Sequence, residues 1–429
     1  MHDPKFLRNH RERVEAGVAL KGMTVDLSAY YTVEEQRLQI LHETEQLKAR
    51  RNSASEEIAR RKKAGEPADV EIAAMREVGD RIKSLDAEFK TLEAKSEALA
   101  AWIPNLPHPS TPPGKDAAQN QVVRSHGALP SFGFEPRPHW ELATALELLD
   151  FERSSKIAGA GFLLFTGRGA RLERGLINFM LDFHTRHHGY TEVSPPHLVR
   201  RAALFGTGQL PKLEADMYLI GEDDLFLNPT AEVPDTNIYR DEILDPGKVP
   251  MSLTAHCASY RREAGTYGKD TRGMVRVHQF DKVELVKIVP PETGYEHHET
   301  LAREVSDILE ALELPYRQVL LCSGDLSFAA AKCYDFEVWA PGSGAWLECS
   351  SCSIFEDFQA RRMNLRFRRE PGAKAEHPHT LNASGLALPR TFAALLENHQ
   401  TASGGVRIPE ALRPWLDGIE ELTPSNPGR

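Results

Sequence analysis

Only five cysteines occur in the 429 residues. They are too few and too scattered for a disulfide framework, which points to a reducing compartment. No apolar run approaches the roughly 18–20 residues of a membrane helix. The opening residues, MHDPKFLRNHRERVE, lack the apolar core of a secretory signal. A cytoplasmic location with no membrane partner is therefore expected. Excess positive charge is missing too: the net charge of −10 argues against a general nucleic-acid binder, although a local basic patch can still draw a structured RNA. The closest cysteine pair is Cys349 and Cys352. A zinc site there would need two more ligands, with His377 and His379 nearest, so buried unpaired thiols are expected and structural zinc is not. Internal repeats are also lacking. What remains, 41% hydrophobic and 27% charged, is ordinary for a globular chain, and the length predicts two or three domains.

Residues 32–101 form the first organised stretch. Met75, Val78, Ile82, Leu85, Phe89, Leu92, Ser96 and Leu99 alternate spacings of three and four, a heptad seam. Upstream, Val33, Ile40, Leu47 and Ala54 repeat every seventh residue, with the more polar Arg37, Thr44, Arg51 and Ile58 between them. Gly65 and Pro67 separate the two seams and mark a helix end and a helix start. This predicts an antiparallel helical hairpin with arms of roughly 45 Å. Its tip, Arg60, Arg61, Lys62 and Lys63, fits a partner protein or a nucleic-acid backbone, although a solvated helix face is the usual reading of such a run. Residues 102–139 are proline-rich and read as a connector. Beyond them apolar β-like runs alternate with helical ones, as in an α+β domain.

The densest chemistry lies in residues 260–284, YRREAGTYGKDTRGMVRVHQFDKVE. Arg261, Arg262, Lys269, Arg272 and Arg276 crowd around Gly265, Gly268 and Gly273, and the run 274–284 alternates toward Phe280, Val283 and Glu284. The pattern predicts two antiparallel strands joined by a long cationic loop. Glycines allow close backbone approach and guanidiniums match phosphate oxygens, so a polyphosphate site fits. A solvated basic hairpin fits the composition equally.

This segment resembles motif 2 of class II aminoacyl-tRNA synthetases in the form carried by seryl-tRNA synthetases, F-R-S-E-A-G, then D-T-R-G, then H-Q-F-x-K-V-E. Tyr260 replaces the usual Phe and Arg262 the usual Ser. Residues 169–196, an amphipathic helix with Leu172, Leu176, Phe179, Met180 and Phe183 on one face, a turn at Gly189 and a strand over 190–193, resemble motif 1, the family's dimer interface. Asn228, Pro229, Thr230, Ala231 and Glu232 resemble the T-x-E element, although Thr230 and Glu232 also suit a plain helix cap. Residues 333–362 resemble the Y-D-L-E-V-W…E-I-S-S-C-S…D-F-Q-A-R-R block, with Cys349 for the usual Ile. By pattern alone they are a strand pair, 334–339 and 346–349, turning at 341–344. Residues 385–400 resemble motif 3, with Pro389 and Ala383 where glycines are common.

The resemblance implies an antiparallel sheet flanked by helices, preceded by the two-helix coiled-coil arm. The implied domains are a tRNA-binding domain over 1–101, the connector 102–139 and a catalytic domain over 140–429. The implied enzyme is a serine–tRNA ligase that forms seryl-adenylate from serine and ATP and loads tRNA(Ser), and tRNA(Sec) where present, as a homodimer. Implied serine contacts are Thr230, Ala231, Glu232, Arg261, Glu284 and Ser384. Implied ATP contacts are Arg261, Arg262, Glu263, Val277, Glu348, Cys349, Ser350, Ser351 and Arg390. The catalytic set is Arg261, Glu348 and Arg390, with Glu348 holding Mg²⁺ through ATP. Two other readings stay open: a paralogue that loads an amino acid onto a carrier protein, and a scaffold with an inactive core.

Overall fold

The computed structural model describes residues 1–264 and 273–424. Gly265, Gly268, Lys269 and Arg272 of the basic loop lie outside the described residues. The chain divides into two units, one of residues 2–19 and 23–104, the other of Met1, residues 20–22 and Asn105–Arg429.

The smaller unit carries helices α1 (Pro4–Asn9), α2 (Arg11–Leu20), α3 (Leu27–Ala64) and α4 (Asp69–Ala100). Asp26 caps α3 by accepting from the Ala29 N–H. Gly65 ends it in the left-handed region at φ 77, a conformation that costs glycine little. Cross-helix pairs Ser96–Glu34, Arg81–Glu43, Lys48–Asp86 and Arg61–Glu71 run in opposite numerical senses, so α3 and α4 are antiparallel. Val78, Ile82 and Leu85 of the expected seam are buried in α4, as are Val33, Ile40 and Thr44 in α3. Glu34, only 1% exposed, is neutralised by Arg8 at 2.5 Å and Arg37 at 2.8 Å and accepts from Ser96. A buried charge so paired fixes which heptads face each other.

The larger unit is built on an eight-stranded sheet: β1 (Gln121–His126), β2 (Thr191–Glu192), β3 (Met251–Tyr260), β4 (Gln279–Val289), β5 (Tyr316–Leu320), β6 (Lys332–Ala340), β7 (Ala345–Ile354) and β8 (His379–Ala387). The spatial order is β1-β5-β6-β7-β8-β4-β3-β2, antiparallel throughout except for β2 beside β3. Among its helices are α5 (Arg168–His187), α6 (Glu232–Thr236), α7 (Gly294–Ala311) and α8 (Leu388–Asn398). Period-two alternation sorts β4 into two faces. Val283 and Leu285 join the main core with Leu172, Leu176 and Met180 of α5 and Phe392 and Leu395 of α8. Lys282 and Glu284 point the other way, followed on that face by Val286 and Ile288 in a smaller core.

Two expectations change. The proline-rich stretch 102–139 contains strand β1, paired with β5 at the sheet edge. The strand expected from residue 274 begins only at Gln279. The reason lies in the backbone donors. The Met274 N–H goes to the His139 ring and the His278 N–H to the Gly161 carbonyl, so neither is available for a ladder.

Candidate active site

A cavity of about 610 Å³ opens over the face of the sheet that carries Lys282. Strands β3 and β4 pair over their full length, Tyr260 against Gln279. The chain leaves β3 at Arg261, which therefore enters the cavity from a rigid edge. Its guanidinium is half-buried, lies 5.2 Å from the Phe280 ring centroid and donates from Nε to the Pro229 carbonyl at 3.2 Å. Burial lowers its pKa, partly offset by the charge of Glu263. Among the described residues it has no ion-pair partner. A desolvated, largely unspent guanidinium is a ready anion receptor.

Register assembles the first end of the cavity. Ser384 on β8 and Ala255 on β3 both stand opposite Glu284 on β4. The Glu284 carboxylate, fully buried beneath the wall, pairs with Lys282 and accepts from Thr230 Oγ1 at 3.0 Å and Asn382 Nδ2 at 2.8 Å. Lys282 also donates to Thr230 Oγ1 at 2.8 Å. Thr230 accepts from the Glu232 N–H at 3.2 Å at the start of α6, so the hydroxyl that faces Lys282 and Glu284 also holds the helix turn. Glu232 accepts from Gln359 Nε2 at 2.8 Å. Burial, then the charge of Glu284, pushes its carboxyl up to about 7. Here several polar groups converge at hydrogen-bonding distance, enough to hold a small zwitterion with a hydroxyl.

The other end is cationic. Arg390, in the first turn of α8, donates to the Glu348 carbonyl at 2.7 Å and the Val275 carbonyl at 3.2 Å, with its guanidinium 3.4 Å from the Glu348 carboxylate. Pro389 fits beside it because the first turn needs no amide donor. Ala383 pairs with Leu285 as regular strand backbone, so no glycine is required there. Glu348 is exposed on the wall. Glu263, in the left-handed region at φ 49, faces Arg276 at 2.5 Å.

Of the residues expected from sequence, Thr230, Glu232, Arg261, Glu263, Val277, Glu348, Cys349, Ser350, Ser351, Ser384 and Arg390 line this one cavity. Three do not. Ala231 is buried against Ala255 and Cys257. Glu284 lies behind the wall. Arg262 is exposed, its N–H donating to the Asp216 carbonyl at 2.9 Å. The Cys349 thiol, expected beside ATP, donates to the Phe336 carbonyl at 3.3 Å, and burial raises its pKa. Sequence reasoning missed Lys282, Asn382 and Gln359. The first two stand two residues before Glu284 and Ser384, and on a strand that spacing shares a face. Gln359 carries no such local signal.

An open cavity over an antiparallel sheet, entered by one arginine from a strand edge and another from a helix start, defines a class II aminoacyl-tRNA synthetase core. Residues 218–399 match the family model for the class II core domain of the G, H, P, S and T synthetases, and residues 1–107 match the seryl-tRNA synthetase N-terminal domain. The chain belongs to the seryl-tRNA synthetase family. It is 52% identical over 423 residues to a serine–tRNA ligase of Trichlorobacter lovleyi, covering 99% of this chain and 100% of that one. It is 50% identical to one of Geobacter sulfurreducens, over 98% of this chain and 100% of that one. The crystal structure of seryl-tRNA synthetase from Pyrococcus horikoshii complexed with ATP superposes with a TM-score of 0.93 at 35% identity, covering 99% and 100% of the two chains. No helix among the described residues is long and apolar enough to cross a membrane.

Proposed function

We propose that this cavity carries out serine–tRNA ligation, the activity of the chain's family, with ATP over Arg390 and serine over Thr230. The observation behind the reading is the convergence of Arg261, Arg390, Glu348, Thr230, Glu232 and Ser384 on one open space. In the first step the serine carboxylate attacks the α-phosphorus of ATP, the bond to the β-phosphate breaks, and pyrophosphate leaves with seryl-adenylate formed. In the second step the terminal ribose hydroxyl of tRNA attacks the acyl carbon and AMP leaves.

A carboxylate nucleophile needs no general base, so positioning and charge stabilisation carry the first step. Arg261 holds both the α-phosphate and the serine carboxylate, neutralising the repulsion between them. Arg390 grips the γ-phosphate, Glu263 faces the adenine, and Val277 lines the nucleotide pocket. Thr230 and Glu232 receive the serine ammonium. Ser384 and the Lys282–Glu284–Asn382 network read the hydroxyl. Alanine would leave those buried polar groups unpaired, which is a strong basis for rejection.

Glu348 fits Mg²⁺: it is an exposed carboxylate oxygen donor beside Arg390, and this cation is held by few carboxylates plus substrate phosphates. The ion, when bound through ATP, adds charge neutralisation at the phosphates. The antiparallel arm is assigned to the variable arm of tRNA(Ser), and of tRNA(Sec) where it exists. The active form is a cytoplasmic homodimer.

Serine-dependent ATP–pyrophosphate exchange, followed by transfer to tRNA and to a carrier protein, tests the whole reading. Exchange with transfer to tRNA alone is expected. Transfer to the carrier protein alone, or no exchange, overturns it.

A further inference from the structure

Glu397, in the second half of α8, and His139, at the end of the proline-rich stretch, are both fully buried and neither lines the cavity. They are 2.7 Å apart, His139 Nδ1 to Glu397 Oε1. Glu397 accepts from three further donors: the His139 N–H at 2.9 Å, the Ser343 N–H at 2.9 Å and the Ser343 hydroxyl at 2.6 Å. On the other side of the ring, the buried Met274 N–H donates to His139 Nε2 at 3.3 Å. An amide N–H can only donate, so Nε2 is unprotonated and the ring proton sits on Nδ1, facing Glu397.

Met274 opens the return of the basic loop toward β4, and the residues after it serve the cationic end. The Val275 carbonyl accepts from Arg390 at 3.2 Å, Arg276 pairs with Glu263 at 2.5 Å, and Val277 lines the wall. The approach is tight: a Cβ on Gly273, at φ +77, would fall 2.2 Å from His139 Nε2.

We infer that His139, oriented by Glu397, is a positioning residue that anchors the loop return at Met274 and thereby places Arg390 and Glu263 for ATP. The inference rests on reading those two residues as ATP contacts. If the dyad served only the packing of α8, its loss would affect stability and both substrates alike.

Two substitutions separate the ring's two jobs. His139→Asn keeps a donor near the Nδ1 position and loses the distant acceptor. His139→Gln keeps an acceptor near Nε2 and loses the near donor, while Glu397 retains its three other donors. In ATP–pyrophosphate exchange, H139N should raise KM for ATP about fivefold to tenfold with KM for serine within about twofold, the scale of one buried amide left unpaired. H139Q should stay within about twofold on both. Gly273→Ala, whose methyl group meets the ring at Nε2 from the loop side, should repeat the H139N pattern and carries the test if H139N does not fold. Equal impairment of H139N and H139Q, parallel shifts in both KM values, or an unaffected G273A overturns the inference. Arg390→Ala is the control. If it leaves KM for ATP unchanged, the ATP reading itself fails; if it raises KM and G273A does not, only the role of His139 fails.

Discussion

Glu232 carries a charge that the free enzyme resists. The residue is 7% exposed, and burial together with Glu284 lifts its carboxyl from the usual 4.5 to about 7. That rise corresponds to about 3 kcal/mol held against the ionised form. The folded state therefore keeps a proton that the unfolded chain releases between pH 4.5 and about 7. Stability contributed by this group is full below that window and falls as pH rises through it. A bound ammonium reverses the balance, because it supplies the missing opposite charge. The kcat/KM for serine reports the free enzyme, so in pyrophosphate exchange it should fall about tenfold per pH unit below about 7. Glu232→Gln keeps the acceptor for Gln359 and removes the charge. It should abolish that acid limb and lower kcat/KM for serine at pH 8 by about tenfold to a hundredfold, the value of a charged hydrogen bond. The same variant should be more stable than wild type at pH 8. A wild-type profile flat between pH 6 and 8, or an acid limb that survives in E232Q, would refute the assignment of Glu232 to the ammonium.

Arg261→Ala should cut exchange by about two orders of magnitude or more, the scale of one lost transition-state donor, while lowering stability by only about 1 kcal/mol, the scale of its hydrogen bond to the Pro229 carbonyl; near-normal exchange would sink its role. Deleting residues 33–99 should spare exchange and abolish tRNA charging, and charging that survives would remove the arm from tRNA binding. Asp235 is fully buried, neither carboxylate oxygen has a hydrogen-bond partner among the described residues, and burial followed by the Glu284 charge lifts it to about 8. Asp235→Asn should therefore raise the melting temperature at pH 9, by the equivalent of about 1–3 kcal/mol, and an unchanged value would show that this carboxyl is solvated or paired in solution.

Local patterns in the sequence made much of this protein legible. The heptad seams, with Gly65 and Pro67 between them, specified two long helices and their break, since a repeat of seven encodes a buried stripe without reference to distant residues. Period-two alternation and the turn at 341–344 specified β6 and β7. Arg261, Glu348 and Arg390 stood out because their motifs are contiguous. The strand boundary at Gln279 did not, because it depends on His139 and Gly161 claiming the backbone donors of Met274 and His278 from over a hundred residues away.

Sequence alone thus determined which residue types were present and which of them share a face, because helix and strand periods are local. Only the tertiary structure decided what each charge meets. Glu284, expected on the pocket wall, lies behind it in a ring of Lys282, Thr230 and Asn382, and Glu397, a residue of the motif 3 helix with no assigned role, reaches the loop return through His139. Those partners come from separate strands and helices, and the free energy of a buried charge or an amide is set by the donors and acceptors around it, which the linear order does not specify.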